Sequence, residues 1–434
     1  MEQTMGESMT IKLPYGKTEL EFSLPKENLL AILEPAHIAP AADPAAVIRQ
    51  AIRNPVGKPA LKSLVRDGQY VLVIIDDMTR PTPCWQLLPP ILEEIEAGGK
   101  GLRIEILIAT GTHRPMTPAE IEAKVGRSVM DKYPVINHEA LDESSMVNLG
   151  RTINGTPIVV NRKLTEAGLI VALGNTVPHC LAGWAGGAKI VQPGVCGEET
   201  TNLTHALSMV SPMPHLGRLD NPMRVEIENI VQKVRLDFVI NTVLNDRAEL
   251  VAAVAGDSML CQRQTVELSS EVWVRPIPAL PDICIVSSYP ADLDYWQGIK
   301  GLFAAEPIIK RGGDIILATP CWERISSNPH HVDAMTRMKG VPSKEIRHVG
   351  KREGIEDLAG LNTATVAARI NELAFVQVIS EGLCDHDLGV LGHARAQSIQ
   401  EALTVAFERQ GPDAKVLVIT HGGDICPVLK TGLK

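Results

Sequence analysis

What this chain lacks narrows its reading first. It contains no run of eighteen apolar residues, so no transmembrane helix is expected. Its opening stretch, MEQTMGESMTIKL, has no basic residues ahead of an apolar core and does not read as a signal peptide. Eight cysteines stand singly at 84, 180, 196, 261, 284, 321, 384 and 426, with no CxxC pair. That pattern argues against a disulfide or zinc framework and for reduced thiols in a cytoplasmic protein. Basic residues are in deficit, 42 Lys and Arg against 51 Asp and Glu, and the net charge of −9 argues against nucleic-acid or membrane partners. Neither HxH nor HExxH occurs, and no internal repeat, low-complexity tract or heptad is visible.

Aromatic content is low, while glycine and proline are plentiful, a mix that suits an α/β enzyme with many turns at strand ends. The 434 residues allow a large core and two or three domains. Thr10 to Phe22 alternates around Pro14-Tyr15-Gly16 as a hairpin, Pro25 to Pro40 reads as irregular, and Pro44 to Arg53 as a helix. Short apolar strands then recur at 70–75, 104–109, 169–173 and 238–244, and again at 283–286, 314–318, 375–379 and 416–419. Helical segments at 118–125, 221–233 and 366–373 lie between them. Such alternation implies mainly parallel sheets covered on both faces. RPIPALP at 275–281 reads as the linker, which predicts a domain over 1–274 and a second over 275–434.

In open α/β sheets ligands gather beyond the carboxyl ends of the strands, and here the chemically useful residues follow the strands. DDMTRPTP at 76–83 offers Asp77 and Arg80 before a helix start, with Thr82 as N-cap and Pro83 at the first position. An arginine there suits a carboxylate or phosphate; the same charges could also pin a turn. GTHRP at 111–115 puts His113 on a tight turn just before a capping box, Thr117 to Glu120. His179 follows the next strand in the same way, and two such imidazoles can serve as acid and base. Either one read alone could equally be structural. GWAGGAK at 183–189 lacks the spacing of a P-loop, because Ile190 follows Lys189. Its Lys189, beside Gly186 and Gly187, suits covalent attachment of a carbonyl-type cofactor, or else is a surface lysine after a glycine turn. His205 lies in the polar segment that follows. In YPADLDYWQGIKGL at 289–302, Trp296, Gln297 and Lys300 form a helical turn able to hold a carboxylate, or else an exposed amphipathic turn.

Taken together, DDMTRPTP, GTHRP, NTVPHCLAGWAGGAK (175–189), the His205 segment and PADLDYWQGIK (290–300) resemble the nickel-dependent lactate racemases and related 2-hydroxyacid racemases and epimerases. The resemblance spans nearly the whole chain. It implies two α/β domains flanking a central cleft, and a tethered nickel-pincer nucleotide made by separate cofactor-synthesis enzymes. By the same resemblance Lys189 tethers the cofactor, with Asp77, Gly186 and Gly187 beside it, and His205 ligates the nickel. His113 and His179 are then the acid/base pair, and Arg80, Lys300, Gln297 and Trp296 bind the substrate. The implied reaction is reversible hydride transfer on a 2-hydroxy acid such as lactate, malate or gluconate. A zinc hydrolase built on the same histidines, or a cofactor carrier without turnover, are the competing readings.

Overall fold

The computed structural model describes residues 7–209 and 215–430. Within them the chain divides into two compact units. One holds Ala36–Ser208 and Arg218–Val272; the other takes the chain up to Pro35, the stretch ending at Gly217, and everything from Trp273.

The first unit is built on a six-stranded sheet in the order Leu250–Gly256, Phe238–Leu244, Leu169–Asn175, Tyr70–Asp76, Arg103–Ala109, Val135–Asn137. All neighbours run parallel except the antiparallel Leu250–Gly256 edge strand. Its central strands are apolar throughout because both faces are covered. Val71, Val73, Ile75, Ile106 and Leu173 pack on one side with Leu88, Ile91 and Ile95 of the Cys84–Glu96 helix. Leu72, Ile74, Leu107 and Ile170 pack on the other with Met223, Ile227 and Ile230 of the Pro222–Lys233 helix.

The second unit carries a six-stranded, all-parallel sheet in the order Ala394–Arg395, Phe375–Ile379, Asp314–Ala318, Ile283–Ser287, Val416–Ile419, Leu29–Leu33. The Ser8–Tyr15 and Thr18–Pro25 hairpin buries Leu13, Phe22 and Leu24 against one face of it. Both sheets are the mainly parallel α/β arrangement that the strand runs imply.

The elements depart from the sequence expectations in four places. Leu29–Leu33, within the stretch read as irregular, is an edge strand paired to Val416–Ile419. The first 35 residues therefore belong with the second unit's sheet, although the sequence boundary put 1–274 in one domain. Val274–Ile277, overlapping the start of the expected linker at 275–281, is a strand paired with Cys426–Leu429; a proline is tolerated in such a two-stranded edge. Thr82 does not cap the following helix: its hydroxyl bonds Asp76, and the helix begins at Cys84 behind Pro83. The helix expected over 366–373 runs from Leu358 to Leu373. No disulfide joins the described cysteines. Among the described residues, no helix is long and apolar enough to cross a membrane.

Candidate active site

The first unit's sheet changes direction between Tyr70–Asp76 and Leu169–Asn175, since the chain builds outward from Tyr70–Asp76 one way and then crosses to the other side. Ligand crevices form at the carboxyl ends of strands at such a switch point. There the chain turns sharply after Asp76. Asp77 Oδ1 accepts from the Thr79 amide (3.1 Å) and hydroxyl (2.6 Å), and the Arg80 amide donates to Asp77 O (3.2 Å). The Arg80 guanidinium reaches back to Thr79 O at 3.0 Å.

The other Asp77 oxygen lies 2.7 Å from His113 Nδ1. His113 follows Gly111, whose φ of +56° favours glycine, and its amide bonds Thr110 O. Burial by itself would raise the Asp77 carboxyl, but His113, the Thr79 bonds and Arg80 outweigh it and hold Asp77 below the usual carboxylate range. An ionised carboxylate only accepts, so the proton of neutral His113 sits on Nδ1 and its lone pair on Nε2.

A buried lysine underlies this turn. Lys124, from the Pro118–Val125 helix, reaches Asp76 Oδ1 at 2.7 Å, Asp77 O at 2.9 Å and Arg80 O at 2.8 Å. Burial opposes its charge, yet the Asp76 carboxylate keeps its pKa raised. Breaking such a buried pair from one side costs about 3–5 kcal/mol. The expected capping box, Thr117 with Glu120, starts this helix.

His179 takes the opposite tautomer. It sits in a small hairpin, Pro178–His179 against Gly183–Trp184. A side chain at Gly183 would put its Cβ 1.7 Å from Arg218 O, so only glycine fits. His179 Nδ1 accepts from the Leu181 and Ala182 amides, both at 3.2 Å, which leaves the ring proton on Nε2. Beneath the hairpin, buried Arg224 donates to Ala182 O and Trp184 O, and burial pulls its guanidinium down to about 10.

Lys189 is half-buried on the short 3₁₀ turn Gly187–Ile190. The glycines before it have a packing reason to be glycines: added Cβ atoms would meet Thr176 Oγ1 at 2.6 Å from Gly186 and Gln262 Oε1 at 2.5 Å from Gly187. His205 lies on the Glu198–Met209 helix, and its Nδ1 is 2.8 Å from Thr201 O. A carbonyl only accepts, so His205 also carries its lone pair on Nε2, the arrangement metal-binding histidines adopt.

In the second unit, the Tyr295–Ala305 helix is capped by Asp294, which accepts from the Gln297 amide at 2.8 Å. Gln297 and Lys300 share one face, as their spacing predicts, with Nζ 2.7 Å from Oε1. Trp296 stacks on buried His331, ring centroids 3.8 Å apart and planes 13° apart, and Asp357 holds His331 Nδ1 at 2.6 Å.

Residues 15–217 match the lactate racemase N-terminal domain, and residues 277–426 match the lactate racemase C-terminal domain. The chain belongs to the lactate racemase family. Among its relatives is the lactate racemase of Thermoanaerobacterium thermosaccharolyticum, 30% identical over 430 residues, 95% of this chain and 97% of that protein. The lactate racemase of Lactiplantibacillus plantarum is 29% identical, covering 95% and 98%. The solved lactate racemase apoprotein from T. thermosaccharolyticum superposes with a TM-score of 0.88 at 28% identity, over 97% of this chain and all of that one. A Thermotoga maritima crystal structure shares the fold at 22% identity, TM-score 0.72, over 91% of this chain and all of that one. Family membership makes this chain an isomerase.

In this lactate racemase family member Asp77, His113 and the Arg80 turn come together. Asp77, which the resemblance grouped with the cofactor, is here bonded to His113. His179, Lys189 and His205 stand on successive segments after the Leu169–Asn175 strand, each held by main-chain bonds. Among the described residues, no three His, Cys, Asp or Glu side chains are grouped to hold a metal. The sequence reading passed over Lys124 and Arg224. The signal for Lys124 was present: it shares the apolar face of its helix with Ile121 and Val125. Arg224 lies among Met223, Ile227 and Ile230 in the same way.

Proposed function

We propose that this protein racemises lactate, or epimerises a related 2-hydroxy acid, by hydride transfer to a nickel-pincer nucleotide tethered at Lys189. The observation that carries the reading is the pair of opposed tautomers: His113 offers a lone pair at Nε2, and His179 offers a proton at Nε2. The residues also fit the cofactor. Lys189 is a half-buried amine on a tight turn, and His205 has its Nε2 prepared as a ligand by the bond to Thr201 O. A group that would bring its own sulfur donors would ask one imidazole of the protein, whereas structural or catalytic zinc asks three or four ligands of it. When bound, the nucleotide supplies a reversible acceptor for the hydrogen on the substrate's second carbon.

His113 takes the 2-hydroxyl proton at Nε2, and Asp77 stabilises the imidazolium that results. His179, whose Nδ1 accepts from two amides, holds its Nε2 proton on the substrate oxygen as a hydrogen-bond donor; a neutral imidazole can act as such an electrophile. The proton held by His113 returns to that oxygen when the hydrogen is given back to the substrate's second carbon, which leaves both imidazoles as they began. In the first unit Arg80 binds the substrate carboxylate; in the second, Lys300 and Gln297 pair on one helix face as a group able to hold a carboxylate, with Trp296 next to them in sequence.

The test is 2-deutero lactate, malate and gluconate incubated in ordinary water with cofactor-loaded protein. Inversion with the label retained is expected, because a transferred hydride does not exchange with solvent as a histidine-bound proton does. Inversion with rapid washout of the label overturns the hydride reading, and the substrate inverted fastest identifies the acid.

A further inference from the structure

We propose that Lys124 is a positioning residue for the acid–base machinery, clipping shut the turn that carries Asp77 and Arg80. The proposal rests on the functional reading above for what that turn does. Lys124 Nζ donates to two main-chain carbonyls, Asp77 O and Arg80 O, and forms an ion pair with Asp76 Oδ1 at 2.7 Å, so one ammonium meets the turn at three points. The second Asp76 oxygen accepts from Thr82 Oγ1 at 2.5 Å, so the turn is tied at 76, 77, 80 and 82. The two clipped carbonyls belong to the residues that carry the carboxylate orienting His113 and the Arg80 guanidinium. The lysine side chain is only 7% exposed and touches the turn from beneath.

A simpler role would be charge balance for buried Asp76. Charge balance requires only the ion pair; the two carbonyl bonds go beyond it, and they fix how far Asp77 and Arg80 stand from the strand end. Arg224 makes the same main-chain grip below the His179 hairpin, bonding Ala182 O and Trp184 O, with Glu228 attracting its charge.

Two variants separate the roles. Lys124→Met strands the Asp76 carboxylate and lowers the melting temperature. Lys124→Met with Asp76→Asn removes both charges, keeps side-chain volume and recovers most of that loss. Hydrogen exchange of the cofactor-free chain, followed in peptides covering 77–83, is the first readout. We expect the Thr79 and Arg80 amides, which bond Asp77 Oδ1 and Asp77 O, to exchange about tenfold faster in the double variant. Amides of Val73 and Ile106 in the core serve as controls and stay at the wild-type rate. The second readout is kcat/KM for lactate in loaded protein, expected to fall about tenfold, with KM rising through Arg80 and kcat falling through His113. A double variant with restored stability, wild-type exchange in 77–83 and wild-type kcat/KM overturns the proposal and leaves Lys124 as a counter-ion. If wild-type loaded protein inverts none of lactate, malate and gluconate, the functional reading falls, while the exchange measurement still decides whether Lys124 holds the turn.

Discussion

Replacing Asp77 by Asn tests the tautomer argument with almost no change in shape. Two Thr79 donors, the amide at 3.1 Å and the hydroxyl at 2.6 Å, face Asp77 Oδ1, so an asparagine must keep its carbonyl oxygen there. Its NH2 then faces His113 Nδ1 across the 2.7 Å contact and can only donate. The imidazole proton must move to Nε2, the atom that has to act as base. In Ser-His-Asp triads the same exchange, with geometry intact, lowers kcat about 10⁴-fold. Positioned general bases contribute about 10²–10⁴-fold, so Asp77→Asn should lose between about 10²- and 10⁴-fold in kcat. The upper figure corresponds to about 5.5 kcal/mol of transition-state stabilisation. Asp77→Ala, despite the larger deletion, should retain more activity, because Nδ1 is then free to hold the proton. The assay is the initial rate of lactate inversion in either direction, with cofactor loading checked by intact mass. Nitrogen-15 shifts of the His113 ring in the cofactor-free chain report the tautomer independently. An Asn variant within about fivefold of wild type, with the ring still protonated on Nδ1, would refute the reasoning.

Three further outcomes follow from other sites. Buried His138 bonds Cys196 O through Nε2 and accepts from Asn161 at Nδ1, and burial lowers its pKa from 6.5 to about 4. The unfolded chain therefore binds the extra proton first: its stabilising effect is whole above pH 6.5 and is lost as pH falls towards 4. Chemical denaturation over that window should show a loss of about 3 kcal/mol in the wild type that His138→Gln flattens. Lys189→Ala should abolish the covalent nucleotide adduct in intact-mass spectra while the fold, followed by circular dichroism, is retained; an undiminished mass increment rejects the tether. Thr117→Ala removes the capping bond to the Glu120 amide and should cost about 1 kcal/mol in urea unfolding, with kcat/KM little changed.

The strand runs were legible because burial on both faces leaves only apolar residues, and YVLVII at 70–75 has no other ready explanation. Pro44–Arg53 was legible from the Ala and Ile residues on one of its faces, and the structure adds Asp43 as its cap with Pro44 at its first position. Leu29–Leu33 was hidden because five residues carry no period and their partner lies at the far end of the chain. Leu358–Leu373 was read short because it is buried nearly all round, which erases the one-sided stripe that marks a surface helix. In the site, the histidines could be located from strand-end position. Their tautomers could not, since those depend on the Asp77 carboxylate and on two amides that only folding brings to the ring.

The pairing of Leu29–Leu33 with Val416–Ile419 also sets a timetable. Leu33 lies in register with Ile419, so the strand made early must wait for one made near the end of synthesis. At ribosomal rates of about 5–20 residues per second, the interval is roughly 20–80 s. Throughout it the segment LLAIL has neither its sheet neighbour nor a finished core to cover it, and an unpaired apolar strand is a template for pairing with other chains. The second unit is thus the last to become whole, and its assembly during translation depends on keeping the newborn amino-terminal hairpin and strand out of other hands until residue 419 has emerged.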